Sequence, residues 1–164
     1  MKDQDKEQVS RWPYNEIIAN RTKCSPELAD CELIQDRSRL GAKLCLAIIR
    51  GDNREVEHLL NAGAPVNHQD QPEGWTPLIY SIYYNNPGGR KMLISRGADI
   101  FRTDFSGRTL LMFAALSGDK ELTSELLNRG LCRETIDRQG RTALDFAISG
   151  HCTDCIELLS QLEK

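Results

Sequence analysis

Long apolar runs are missing from this 164-residue sequence, and so is any dense block of basic residues. No segment approaches the roughly 20 apolar residues that cross a bilayer, and the opening MKDQDKEQVSRW holds no apolar stretch of the signal-peptide kind. The chain therefore reads as soluble, without membrane insertion, and at home in the cytoplasm or nucleus. Lys and Arg number 21 against 24 Asp and Glu, a net charge of -3. That balance lacks the electrostatic footprint that a phosphate backbone demands, so nucleic acid is not the expected partner.

Chemistry-bearing motifs are equally scarce. The three histidines, His58, His68 and His151, have no nucleophile and orienting acid placed to complete a triad, and no Gly-rich phosphate loop with a Lys is present. HisCysThrAspCys at 151–155 contains a C-x-x-C, a spacing used by zinc sites and redox dithiols. A structural zinc needs four ligands, and no second C-x-x-C or His pair supplies the rest. No catalytic residue, metal or cofactor is expected, and the chain reads as non-enzymatic. Six cysteines without a secretory signal favour free thiols over a disulfide frame.

What the sequence does have is ordinary globular composition, 40% apolar and 27% charged, enough for one domain with a core. It also repeats. Gly74, Gly107 and Gly140 are spaced 33 and 33, and Thr76, Thr109, Thr142 and Leu78, Leu111, Leu144 keep the same spacing. A second glycine series, Gly63, Gly97 and Gly130, follows at intervals of 34 and 33. The first glycine suits a tight turn with positive φ, and Thr suits the N-cap of the helix that follows. Pro77 fits the first helical position. A second helix carries Leu59-Leu60, Met92-Leu93, Leu126-Leu127 and Leu158-Leu159, and the second glycine ends it as a left-handed cap. One such unit cannot bury its apolar face alone, whereas stacked units can. Cys155 and Cys45 fall on apolar helix positions, where cysteine behaves as a small hydrophobe.

TPLIYS, GRTLLMFAALSGDKEL and LLNAGAPVN resemble ankyrin repeats, whose 33-residue unit is a β-turn followed by two antiparallel helices. The resemblance covers about residues 41–164 and implies an all-α solenoid: a degenerate repeat at 41–70, then repeats at 71–104, 105–137 and 138–164. The family's TPLH appears as TPLI, TLLM and TALD, so the His that ties neighbouring turns is absent from every unit. GlnProGlu before Gly74 is one residue longer than its counterpart, which accounts for the interval of 34. AsnAsnProGlyGly at 85–89 suggests a distorted loop and a second helix that starts late. Residues 1–40 lie outside the resemblance; TyrAsnGluIleIleAlaAsn and SerProGluLeuAlaAspCysGluLeuIle look helical, with Ser25 as N-cap, and are expected to form a helical extension or cap.

The resemblance implies a function as well: binding another protein through the concave face formed by the turns and first helices, with the chain itself a monomer. It places Trp75, Tyr83 and Tyr84 outward on that face, with Arg108, Leu116 and Arg141 at matching positions and Phe105 at a turn tip. Trp, Tyr and Arg are the residue types enriched in interface hot spots. Tyr80, Phe113 and Phe146 fall four after Thr, where the family points inward. Asn67, with Val66 before it and Leu59 eight back, matches the spacing of a hydroxylation acceptor in the family; its alternative reading is a turn-stabilising Asn. An alternative function is a regulatory adaptor or enzyme inhibitor acting through residues 1–40.

Overall fold

The computed structural model describes residues 29–160, with side chains from Asp36 onward. The expected helix at 14–20 and the cap at Ser25 lie outside the described residues. The chain divides into two units, Met1–Glu32 and Leu33–Lys164, and the second carries the fold described here.

Eight helices occupy the described residues: α1 Ala29–Arg50, α2 Asn53–Asn61, α3 Pro77–Tyr83, α4 Pro87–Ser95, α5 Leu110–Ser117, α6 Lys120–Asn128, α7 Ala143–Ser149 and α8 Thr153–Ser160. The described residues contain no strand. Within a unit the two helices pack as a hairpin, α3 on α4, α5 on α6, α7 on α8. Between units, first helices stack on first helices (α3 on α5, α5 on α7) and second on second (α2 on α4, α6 on α8). This is the layered solenoid that the 33-residue period implies. Helix α1 runs without a break through residue 40, and its last two turns contribute Leu44, Cys45, Ala47 and Ile48 to the core.

Local chemistry sets the boundaries. Thr76 accepts from the Ile79 amide and Thr109 from the Met112 amide, capping α3 and α5. Both glycine series adopt the positive φ expected of them, 74° to 77° in the turns and 81° to 92° after the second helices. Leu78, Leu111, Leu126 and Leu159 are buried, as are Tyr80, Phe113 and Phe146. Each helix after α1 has only 7 to 9 residues and would be marginal alone, so packing of these apolar stripes between layers supplies the stability.

One expectation is overturned at residues 85–89. Helix α4 begins at Pro87, ten residues after α3 begins, the same offset that separates α5 from α6 and α7 from α8. Asn85 takes φ 49°, turning the chain. Asn86 then caps α4 through the Gly89 amide, and its Nδ2 donates to the Ile48 carbonyl of the preceding unit. Pro87 occupies the first helical position. The two glycines serve close approach rather than distortion. A Cβ at Gly89 would lie 2.6 Å from Ile48 Cδ1, and one at Gly88 2.4 Å from Asn53 Nδ2.

Without the family's histidine, other groups use its position. Asp145 accepts from both the amide and the hydroxyl of Thr142, and Met112 presents its sulfur to the Thr109 amide at 3.4 Å. Adjacent turns are joined through the backbone, by Phe105 N–H to Glu73 O at 3.0 Å and Arg138 N–H to Ser106 O at 2.9 Å.

Leu126 is 2% exposed in a central layer. Leu126→Ala is expected to cost about 2 to 5 kcal/mol in denaturant melts. Asp137 and Asp145 give a pH prediction. Burial works against ionisation of Asp137, but the Arg141 amide and guanidinium and the Gln139 amide outweigh it and hold the carboxyl below its ordinary value. Hydrogen bonds from the Thr142 amide and hydroxyl do the same for Asp145. A folded pKa below the unfolded one contributes stability that is present above the unfolded value and lost as pH falls through the folded one. Thermal melts should therefore lose stability below about pH 4, and Asp137→Asn should flatten that limb.

Candidate functional site

Each turn is organised by an aspartate that the spacing argument passed over. Asp104 is 4% exposed and Asp137 5%. One oxygen of Asp104 accepts from the amides of Ser106 and Arg108, and the other pairs with Arg108 Nε at 2.5 Å. Asp137 repeats the pattern with the amides of Gln139 and Arg141 and with the Arg141 guanidinium at 2.7 Å. The signal lay in the sequence as Asp-x-x-Gly-Arg-Thr, which recurs 33 residues apart. In the second unit the extra residue lengthens the turn, so Gly74 donates to the Asp70 carbonyl four residues back, where Gly107 and Gly140 reach three. Trp75 stands there in place of Arg. The Asp70 carboxylate accepts from the Trp75 amide at 2.6 Å and from the Tyr80 hydroxyl.

This arrangement decides where the expected outward residues go. Arg108 and Arg141 do not project freely. Arg108 is tied to Asp104 and lies 3.6 Å from Glu73, with its guanidinium over Trp75 and Phe113 at 5.7 and 5.2 Å from the ring centres. Arg141 sits 4.6 Å over Phe146. A guanidinium between a buried carboxylate and an aromatic face satisfies both, which is why it folds back.

Trp75 also departs from the outward position expected of it. It is half-buried, with ring centres of Tyr83, Tyr80 and Phe113 at 5.0, 5.2 and 5.2 Å. Tilted and edge-on geometries at these separations are favourable aromatic contacts. Its indole N–H is buried and has no acceptor among the described residues. Tyr83 is half-buried beside it, and burial, with Tyr84 adding to it, holds its phenol above the ordinary range.

The residues that reach solvent are fewer. Tyr84 is 46% exposed and packs edge-on against Tyr83 at 5.3 Å. Phe105 is 39% exposed, its ring laid on Gly74, where a Cβ would come within 2.6 Å. Leu116 is half-buried near the end of α5. Tyr84, Tyr83, Trp75, Phe113 and Arg108 thus form one continuous group, from an exposed phenol down to a core ring. Asn67 is half-buried and its Oδ1 accepts from the Asp99 amide of the next unit at 2.8 Å, the turn-stabilising role. Among the described residues no group of three or more His, Cys, Asp or Glu is placed to hold a metal ion, and no helix is long and apolar enough to cross a membrane.

The burial contrast predicts different costs. Trp75→Ala should destabilise by about 2 kcal/mol, below the 3 to 5 of a fully buried aromatic, and Tyr84→Ala by about 1 kcal/mol or less. Paired thermal melts check this.

Comparison with known proteins agrees with the repeat pattern. A family model described as ankyrin repeats in three copies matches residues 91–164, and one described as ankyrin repeats in many copies matches 59–114. Mouse inversin is 26% identical over 128 residues, 78% of this chain and 12% of that protein. Human inversin is 27% identical over 122 residues, 74% of this chain and 12% of that protein. The rat protein called ankyrin repeat and SAM domain-containing protein 6 is 31% identical over 99 residues, 60% of this chain and 11% of that protein. The chain spans about an eighth or less of the length of each of these relatives.

Proposed function

Because the chain belongs to the ankyrin-repeat family, whose repeats are generally non-enzymatic protein–protein interaction modules, we propose that it binds a partner protein through the turn and first-helix side of its second and third units. Tyr84 and Phe105 are the leading contact residues, with Leu116 beside them. Tyr83, Trp75 and Arg108 form the bed on which Tyr84 rests, and Arg141 holds the matching position in the last unit.

The observation that carries this reading is the aromatic group itself. Core packing alone does not need a phenol left 46% exposed on top of four contiguous aromatic and guanidinium groups. Large rings held in one orientation lose little conformational freedom on binding, so most of their buried area counts toward affinity.

Affinity capture from the native cell, with wild type beside Tyr84→Ala and Phe105→Ala, tests the proposal. Each variant should weaken capture of the same partner by about 2 kcal/mol, roughly 30-fold, without lowering the melt to match. Deletion of residues 1–28, which leaves α1 whole, should spare capture. If the deletion abolishes it while both aromatic variants bind normally, the binding surface lies on the N-terminal segment instead.

A further inference from the structure

Second helices of successive units are capped by one structural position. Its occupants are Asp52, Asn86 and Asp119, whose side-chain oxygens accept from the amides of Glu55, Gly89 and Leu122 at 3.1, 2.8 and 2.9 Å. In the last unit the position is Cys152. Its carbonyl accepts from the Ile156 amide at 2.9 Å, which opens α8, and its sulfur accepts from the Cys155 amide at 3.2 Å. A neutral thiol is a poor acceptor where the other units place an oxygen.

The cap geometry also sets the two sulfurs together. Cap and third helical position are three apart, and here both are cysteine, with Sγ atoms 2.6 Å from one another and both thiols free. Cys152 is half-exposed and Cys155 fully buried, its sulfur 3.9 Å from Thr123 Oγ1 of the preceding unit. Cys152 Sγ lies 3.6 Å from the Gly118 carbonyl of that same unit.

We propose that Cys152 and Cys155 are a reversible dithiol–disulfide site that a small-molecule disulfide of the glutathione type oxidises. The accessible Cys152 thiolate attacks one sulfur of the oxidant, breaking its S–S bond and releasing one glutathione thiolate. Cys155 then attacks Cys152 Sγ in the mixed disulfide, the second glutathione leaves as thiolate, and the Cys155 proton passes to it. Two thiols have been oxidised to one disulfide, and one glutathione disulfide has been reduced to two thiols. The order follows from exposure. Burial pushes the Cys155 thiol up to about 11, so it stays protonated while Cys152 reacts first. Because Cys152 and Cys155 both touch the preceding unit, the oxidised pair alters the cap of α8 at the point where α6 and α8 meet. The site is independent of the partner-binding reading.

The test uses the full chain, folded by circular dichroism, in glutathione buffers of rising oxidised fraction, with remaining thiols alkylated and located by peptide mass mapping. Alkylation at Cys152 and Cys155 should fall together, about tenfold, with recovery of the peptide linking them and return on reduction. Cys155→Ser should trap glutathione on Cys152. Cys152→Asp restores the oxygen cap of the other units, so it should fold and leave Cys155 unmodified. Full alkylation of both positions in the most oxidising buffer, a link from either to another cysteine, or a 152–155 link that forms only in denaturant would each overturn the proposal.

Discussion

A buried carboxylate in every turn is the constraint on which the rest depends. Asp70, Asp104 and Asp137 are each about 95% removed from solvent, and a carboxyl group so placed has to be met by hydrogen-bond donors. Backbone amides of the turn supply some, and in the third and fourth units the side chain before the capping Thr supplies the rest. Where that residue is Arg, the guanidinium folds back on the carboxylate and covers the phenylalanine four after Thr. Turn, first helix and core ring are thereby fixed as one piece.

The second unit solves the same problem differently, and its surface differs for that reason. With Trp75 in the arginine's place, a hydroxyl is recruited from the core, and Tyr80 donates it to Asp70. The indole then takes the space over the neighbouring Phe113, borrowing Arg108 from the third unit as its cover. Aromatic residues accumulate around it because each new ring packs on the last. The crowding of Trp75, Tyr80, Tyr83 and Tyr84 is thus a consequence of one exchange beside a buried charge, and the exposed end of the stack is what a partner would meet.

Much of this could be read from the sequence and some could not. Period, glycine turns, threonine caps, the buried leucines and the inward Tyr80, Phe113 and Phe146 were legible because each rests on a local rule repeated in register. The outward position that the resemblance implies for Trp75 does not hold, because register alone does not show that the side chain before Thr folds back toward a carboxylate and an aromatic ring. The aspartates were visible at 33-residue spacing, yet the longer turn at 70–74 shifts the first of them out of line. AsnAsnProGlyGly suggested irregularity because Gly and Pro usually mark it. Only the approach of Ile48 and Asn53 shows that two missing side chains are a packing requirement. The cap series ending in Cys152 is not legible as a pattern, because Asp, Asn and Cys share a role there without sharing a class.

The backbone bonds between turns have a consequence for how the stack moves. Phe105 and Arg138 lie in loops, whose amides ordinarily trade hydrogen with solvent freely, yet each is held by the carbonyl of the turn before it. Neither amide can exchange until two neighbouring units part. In deuterated water those two positions would therefore act as gauges of separation between layers, distinguishing a stack that opens like a book at one seam from one whose units melt singly.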